Sequence, residues 1–264
     1  MSRVSPLITV ALVGAVSAPA AELPEDFLLV AHRGVVDDSR AENSLPALEE
    51  TIRRGYTHVE VDLRVTKDGH AVVLHDRNLK RTTGIDKDIY QTTLAELRAL
   101  VSENRVPSFE TFCERAAGRI ELMPDVKDFP PALSDAFADS LERSMQKHGL
   151  IENALFIGRK DIAKRFWGRA RMSWRKPIQE AHFTGEAAAA PGTYYFVFGH
   201  AADFDAESVQ RYQALGLQIV VSINLFHYRN GDQVAQGLTD VDAMLKLGVD
   251  GLQIDSVYDR NLVD

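Results

Sequence analysis

One cysteine, Cys113, is present among 264 residues, so no disulfide can form within the chain and no cysteine-based zinc site can be built. Any metal here is held by oxygen or imidazole. Aromatics, at 8%, are at ordinary usage, while basic residues are in deficit, with 30 Lys and Arg against 38 Asp and Glu for a net charge of −8. That balance argues against nucleic acid or an anionic membrane surface as a partner, and an anionic small molecule would need a local positive site. No hydrophobic run reaches the roughly 20 residues of a membrane-spanning helix, so no stable membrane anchor is expected. Low complexity is confined to residues 186–192, where Pro191-Gly192 marks a loop or a frayed helix end. What is present, 45% hydrophobic and 26% charged residues, is ordinary globular usage and excludes a disordered, collagenous or coiled-coil chain.

Arg3 precedes an apolar stretch from Pro6 to Val16, and the small-residue run Ser17-Ala18-Pro19-Ala20-Ala21 follows. This is the three-part layout of a secretory signal, with Ala18-Pro19-Ala20 as the cleavage site. The expectation is a signal peptide over residues 1–20 and one domain over 21–264, exported to a periplasm or secreted, where a fold without disulfides is permitted. No cysteine follows the apolar run, which excludes a lipid anchor there. The remaining ~244 residues suit a single α/β barrel of about 250.

From Leu23 onward, short apolar runs alternate with helical patterns. Strands are predicted at Phe27–Ala31, Ile120–Pro124, Ala154–Ile157, Met172–Trp174, Tyr194–Phe198, Gln218–Ile223 and Gly251–Ile254, with two more inside Thr57–Asp76. Ser44 is placed to cap a helix with Pro46 in its first turn and Leu45, Leu48 and Ile52 along one face, closed by Gly55. Pro107-Ser108 opens another helix, whose apolar face carries Phe109, Phe112, Cys113 and Ala116, so the lone cysteine is a core residue. Longer helical patterns cover Ala132–His148 and Ala206–Leu215. Such alternation, with no linker and no fixed-period repeat, points to an α/β fold with a mostly parallel sheet, closed as a single (β/α)8 TIM-type barrel. Thr57–Asp76 is too short for a crossover and reads as an irregular hairpin. A turn centred between Asp68 and Gly69 sets Asp62 opposite His75.

Polar residues gather at the strand ends: His32-Arg33-Gly34, Glu60-Val61-Asp62, His75-Asp76 and Asp125-Val126-Lys127. In α/β barrels the catalytic groups sit at the carboxyl ends of strands. Glu60 and Asp62 are two residues apart, so on a strand both carboxylates point to one face, while Val59, Val61 and Leu63 make the other face apolar. Two like charges on an inward face repel and resist desolvation unless a cation sits between them. The pair asks for a metal.

In their order and spacing, His32-Arg33-Gly34, Glu42-Asn43, Glu60-x-Asp62, Thr66-Lys67-Asp68-Gly69, His75-Asp76 and Arg81-Thr82-Thr83-Gly84 resemble the glycerophosphodiester phosphodiesterase family. The likeness runs from about Val30 to Glu110, with Asp125-x-Lys127 and the segment Gly248–Asp255 as later landmarks. It implies a phosphatidylinositol-phospholipase-C-like barrel, one divalent cation (Ca²⁺ or Mg²⁺), and hydrolysis of glycerophosphodiesters to an alcohol and glycerol 3-phosphate. By resemblance, Glu60, Asp62 and Asp125 are the metal ligands, and His32 and His75 divide the acid and base work. A phosphodiester's remaining oxygens need positive partners, which Arg33 and Lys127 supply, and Glu42 either caps the following helix region or, as favoured, orients a catalytic group from behind. Asp125 departs from the family's usual glutamate. The related sphingomyelinase D group carries Asp-x-Lys there, which keeps a lysophospholipid or sphingomyelin-like head group, cleaved in the manner of a phospholipase D, as the alternative. Gly158-Arg159 stands where the family often has a serine-rich segment, and Val221-Ser222-Ile223-Asn224 lacks the aromatic of the family's Trp-Thr-Val-Asn. A silent barrel that binds a phosphorylated ligand is the non-enzymatic alternative, against which the complete set of carboxylates, histidines and Lys127 speaks.

The remaining histidines, His58, His70, His148, His182, His200 and His227, are read as surface or satisfied core residues. Asp76, Asp86 and Asp88 are read as loop charges, and Arg81 as a residue that holds a loop. Nothing in the sequence sets an oligomeric state.

Overall fold

The computed structural model describes residues 23–174, 177–179, 182–259 and 262–263; the expected signal and its cleavage site lie outside them. Nine strands form one sheet: β1 (Leu28–Ala31), β2 (His58–Val65), β3 (Ala71–Val73), β4 (Glu121–Val126), β5 (Leu155–Gly158), β6 (Arg171–Met172), β7 (Val197–His200), β8 (Ile219–Ile223) and β9 (Gly251–Ile254). Their order is β6-β5-β4-β2-β1-β9-β8-β7, all parallel, with β3 lying outside the path and pairing only with β2. Among the described residues the ends of that path meet at the bridge of Met172 with Tyr195, where the Phe196 N–H donates to the Met172 carbonyl at 3.2 Å. The parallel strands thus curl into the expected barrel. The predicted strand at Tyr194–Phe198 begins only at Val197, because Pro191–Tyr194 winds into a helical turn.

Alternation along the strands builds two cores. Leu29, Ala31, Val59, Val61, Leu63, Leu122 and Val126 face outward into the layer that packs against the helices. Leu28, Val30, Met123, Leu155, Phe196 and Val220 point inward and plug the barrel. Further along β2, β4, β8 and β9 the inward positions turn polar, at Glu60 and Asp62, Asp125, Ser222 and Gln253, which leaves a site seated on an apolar floor. The helices follow their sequence signals. Ser44 caps Leu45–Arg53 by accepting from the Ala47 N–H at 3.2 Å, Ser108 caps Phe109–Ala116, and Cys113 is fully buried on that helix. Among the described residues no helix is long and apolar enough to cross a membrane.

The hairpin forms, but its register is one residue from the expected one. Val65 faces Ala71 and Leu63 faces Val73, which sets Asp62 opposite Leu74, whose N–H donates to the Asp62 carbonyl at 2.9 Å. The cause is the turn. Gly69 donates to the Thr66 carbonyl at 3.0 Å while the Thr66 N–H donates to His70 at 2.9 Å, and Gly69 sits at φ 86°. This is a three-residue loop, residues 67–69, with a left-handed glycine, so Lys67 leaves the leading strand and the register moves by one residue. His75 therefore lies beyond the ladder, on the loop that follows.

Candidate active site

Strand pairing brings the carboxylates together. Asp62 on β2 is in register with Asp125 on β4, and Glu60 is on the same inward face two residues earlier. One oxygen from each of Glu60, Asp62 and Asp125 lies within 4.8 Å of the others, and all three residues are buried. Lys127, just past β4, places Nζ 2.6 Å from Asp62 and 2.5 Å from Asp125. Burial, followed by the charges of Asp62 and Asp125, pushes the Glu60 carboxyl well above the usual carboxylate range. Burial acts on Asp62 in the same direction, but Lys127 and Arg33 outweigh it and hold that carboxyl low. Three hard oxygen donors buried this close together could hold a metal ion.

The loop after β1 is fastened to this cluster. The Arg33 N–H donates to Glu60 Oε2 at 2.9 Å, and its Nε lies 3.1 Å from Asp62 Oδ2. Asn43 grips Asp62 twice, donating from Nδ2 to Oδ2 at 2.7 Å and accepting the Asp62 N–H on Oδ1 at 3.1 Å. Arg33 and Asn43 are the two non-glycine residues with positive φ among those described, at 59° and 55°. Left-handed backbone is costly for side-chain-bearing residues, and the bonds to the carboxylates hold it in place. Gly158 at the end of β5, with φ 94°, is required for a different reason: a Cβ there would lie 2.7 Å from Asp125 Oδ1.

His32 and His75 flank the carboxylates from opposite loops. His32 Nδ1 donates to Asp255 Oδ1 at 2.7 Å, and its Nε2 lies 4.0 Å from Glu60. His75 Nδ1 donates to Asp76 Oδ1 at 2.6 Å. A carboxylate only accepts, so in both rings Nδ1 carries the proton and Nε2 is left for chemistry. Burial lowers the His32 pKa, but the Asp255 bond and the Glu60 charge prevail and leave it raised. At His75 burial prevails over Asp62 and Asp76 and leaves it lowered. The two imidazoles are thus biased towards opposite protonation states.

A cavity of about 200 Å³ joins His32, Arg33, Glu60, His75, Asp125 and Lys127. Its far wall holds two histidines that the sequence reading left aside, His200 and His227, with ring centroids 4.0 Å apart. Beneath it Asn224, Ser222 and Gln253 form a buried hydrogen-bonded chain. Glu42 does not reach the cavity floor: it pairs with Arg33 at 3.3 Å and with Arg81 at 2.6 Å. Asp76 is not a free loop charge, since it holds His75. Asp255 ends the segment already recognised as a landmark, and an acid at a strand end was its available signal. Asn43 had one too, since asparagine is among the residues that tolerate left-handed backbone.

The model of the glycerophosphoryl diester phosphodiesterase family matches residues 32–184. The chain belongs to that family. Over 72 residues it is 43% identical to a probable glycerophosphodiester phosphodiesterase 1 of Mycobacterium tuberculosis, covering 27% of this chain and 26% of that one. Over 99 residues it is 34% identical to a human lysophospholipase D, covering 37% and 31%. The chain thus matches about a quarter to a third of the length of these curated relatives. Solved structures align over far more. An Oleispira antarctica phosphodiesterase in complex with the product sn-glycerol-3-phosphate superposes with TM-score 0.66 at 21% identity, covering 89% of this chain and 95% of that one. A Parabacteroides distasonis glycerophosphoryl diester phosphodiesterase does so with TM-score 0.70 at 18% identity, covering 92% and 90%. At these identities the likeness shows the barrel fold.

Proposed function

We propose that the protein is a phosphoric diester hydrolase that cleaves glycerophosphodiesters to an alcohol and glycerol 3-phosphate, using one divalent cation. The reading is carried by a cluster of three buried carboxylates, two of which, Glu60 and Asp125, line one cavity with two cationic side chains and two imidazoles with fixed tautomers. Glu60, Asp62 and Asp125 would hold the cation, which would supply neutralisation of the charge that grows on the phosphate oxygens. Arg33 and Lys127 orient those oxygens with directed donors. One imidazole Nε2 accepts the proton of the attacking hydroxyl, and the other gives a proton to the leaving alkoxide, each step contributing about 10²–10⁴-fold. We read the attacking group as the neighbouring glycerol hydroxyl. Its oxygen bonds to phosphorus as the bond to the alcohol breaks, and water then opens the cyclic phosphate. Net retention at a chiral phosphorus supports that order, and inversion removes it.

One observation favours the amphiphilic alternative as a second reading. Beside the cavity, and sharing His32, Arg33 and Phe226 with it, lies a second hollow of about 280 Å³ bounded by Val36, Leu225 and Val257. Phe226 and Val36 are 55% and 41% exposed there. Such a flank suits an aliphatic chain carried on the glycerol, as in a lysophospholipid. Incubation with glycerophosphocholine, glycerophosphoethanolamine and lysophosphatidylcholine, with and without EDTA, tests both readings. Glycerol 3-phosphate formed and abolished by chelator supports the first, a preference for the lyso substrate supports the second, and no turnover with added Ca²⁺ or Mg²⁺ leaves the silent barrel. The N-terminal layout further supports export, which N-terminal sequencing of the protein from culture fractions checks.

A further inference from the structure

The site has two halves on separate loops. His75 and Asp76 lie after β3, whereas Arg33 and Glu42 lie after β1. Joining them is one side chain from the short helix Lys80–Thr83. Arg81 donates from Nε to Asp76 Oδ2 at 2.5 Å, and from its two terminal nitrogens to Glu42 at 3.1 and 2.6 Å. Each carboxylate then reaches onward: Asp76 accepts from His75 through its other oxygen, and Glu42 accepts from Arg33 at 3.3 and 3.4 Å. Among the described residues Arg81 alone bonds both carboxylates.

We propose that Arg81 is a positioning residue that sets the His75 ring and the Arg33 guanidinium in one geometry, so that the proton-transfer group and the phosphate-binding group move together. The argument is geometric. A carboxylate bonded through one oxygen still rotates; bonded through both, it is fixed. Arg81 supplies the second bond to Asp76, and with it the plane in which His75 Nδ1–H must point. At Glu42, whose two oxygens already accept from Arg33 at 3.4 and 3.3 Å, Arg81 adds a shorter pair of bonds from the other side and so ties Arg33 to the same fork. A guanidinium can serve two carboxylates at once because its donors form a planar fork, whereas a lysine ammonium presents one compact charge and cannot span both with directed bonds. Arg81's own anchor is secured by a second arginine: Arg105 donates to the Thr82 carbonyl at 3.0 and 2.7 Å and to the Glu42 carbonyl at 3.2 Å, lacing the two loops by their backbones. Arg81 is half exposed, with a side chain 49% accessible, so its ion pairs carry little stability. Its role is orientation.

The positioning role rests on the hydrolase reading, so the experiment carries one measurement that does not. In ¹⁵N spectra of histidine-labelled protein, wild type should show His75 as the Nδ1–H tautomer; Arg81→Ala and Arg81→Lys should both show a tautomer mixture at His75, with His32, held by Asp255, unchanged. On glycerophosphocholine both variants should lose about 10²-fold in kcat, the scale expected when a reacting group is misplaced, with KM raised through Arg33. Added ethylguanidinium should restore part of Arg81→Ala and leave wild type unaffected. An unaltered His75 tautomer, or wild-type kcat in both variants, overturns the proposal. If wild type turns over no diester, the hydrolase reading falls and the tautomer measurement alone decides the positioning. If Arg81→Ala fails to fold, Arg81→Lys, which keeps the charge, carries both readouts.

Discussion

His58 opens β2 at the end of the strand away from the carboxylates, and it is 4% exposed. Its Nδ1 lies 3.0 Å from Thr57 Oγ1 and its Nε2 donates to the Asn153 carbonyl at 3.3 Å. Burial, aided by the charge of Arg171, brings its pKa down to about 4, against about 6.5 in the unfolded chain. The unfolded state therefore binds more protons between these values, so stability is full above pH ~6.5 and is lost as the pH falls towards 4. Each unit of difference is worth about 1.4 kcal/mol. His58 should then remove about 2 kcal/mol on acidification to about pH 5, and about 3 kcal/mol once the pH passes below 4. Urea unfolding of wild type and His58→Gln across this range isolates the contribution, since the amide still donates to Asn153 and every other titration is common to both proteins. The wild-type curve should fall relative to the variant by those amounts. A difference that stays flat between about pH 7 and pH 5 refutes the reasoning, because a buried, neutral His58 cannot produce it.

Replacing Asn43 by Ala removes a donor to the buried Asp62 carboxylate and the acceptor of its N–H, so it should cost about 3 kcal/mol in urea unfolding and lower activity with it. Gly158→Ala should displace the Asp125 carboxylate and reduce the thermal stabilisation given by added Ca²⁺, read by calorimetry. At a cation concentration one hundred times its Kd, wild type should gain about 2.7 kcal/mol, and Asp62→Asn should lose that gain together with turnover. His32→Ala and His75→Ala should each lower kcat by about 10²–10⁴-fold while keeping the cation-induced shift.

The barrel was legible because its strands carry the two-residue period and its helices carry caps, signals that act over a few residues. The Glu60 and Asp62 pair was legible for the same reason, since spacing alone puts both on one face. The register of the hairpin was not, because it depended on Gly69 adopting a left-handed bulge in place of a tight two-residue turn. The partners of the imidazoles were missed for different reasons. Asp255 lies 223 residues from His32, a pairing no local pattern reveals, and Asp76 is adjacent to His75 but looks like any loop acid until the ring turns towards it. His200 and His227 enter the cavity only because β7 and β8 are neighbours in the ring.

Among the described residues, the ring of strands is closed between β6 and β7 at the bridge from Met172 to Tyr195, whereas β2 and β4 are in register over six residue pairs. That thin seam is on the side of His200, across the barrel from the strands that carry Glu60, Asp62 and Asp125. Local opening is easiest where pairing is least, so breathing and tolerated insertions concentrate on the wall that carries His200. The three carboxylates stand on the well-paired arc. Such a barrel can vary along its seam while the carboxylate geometry stays put.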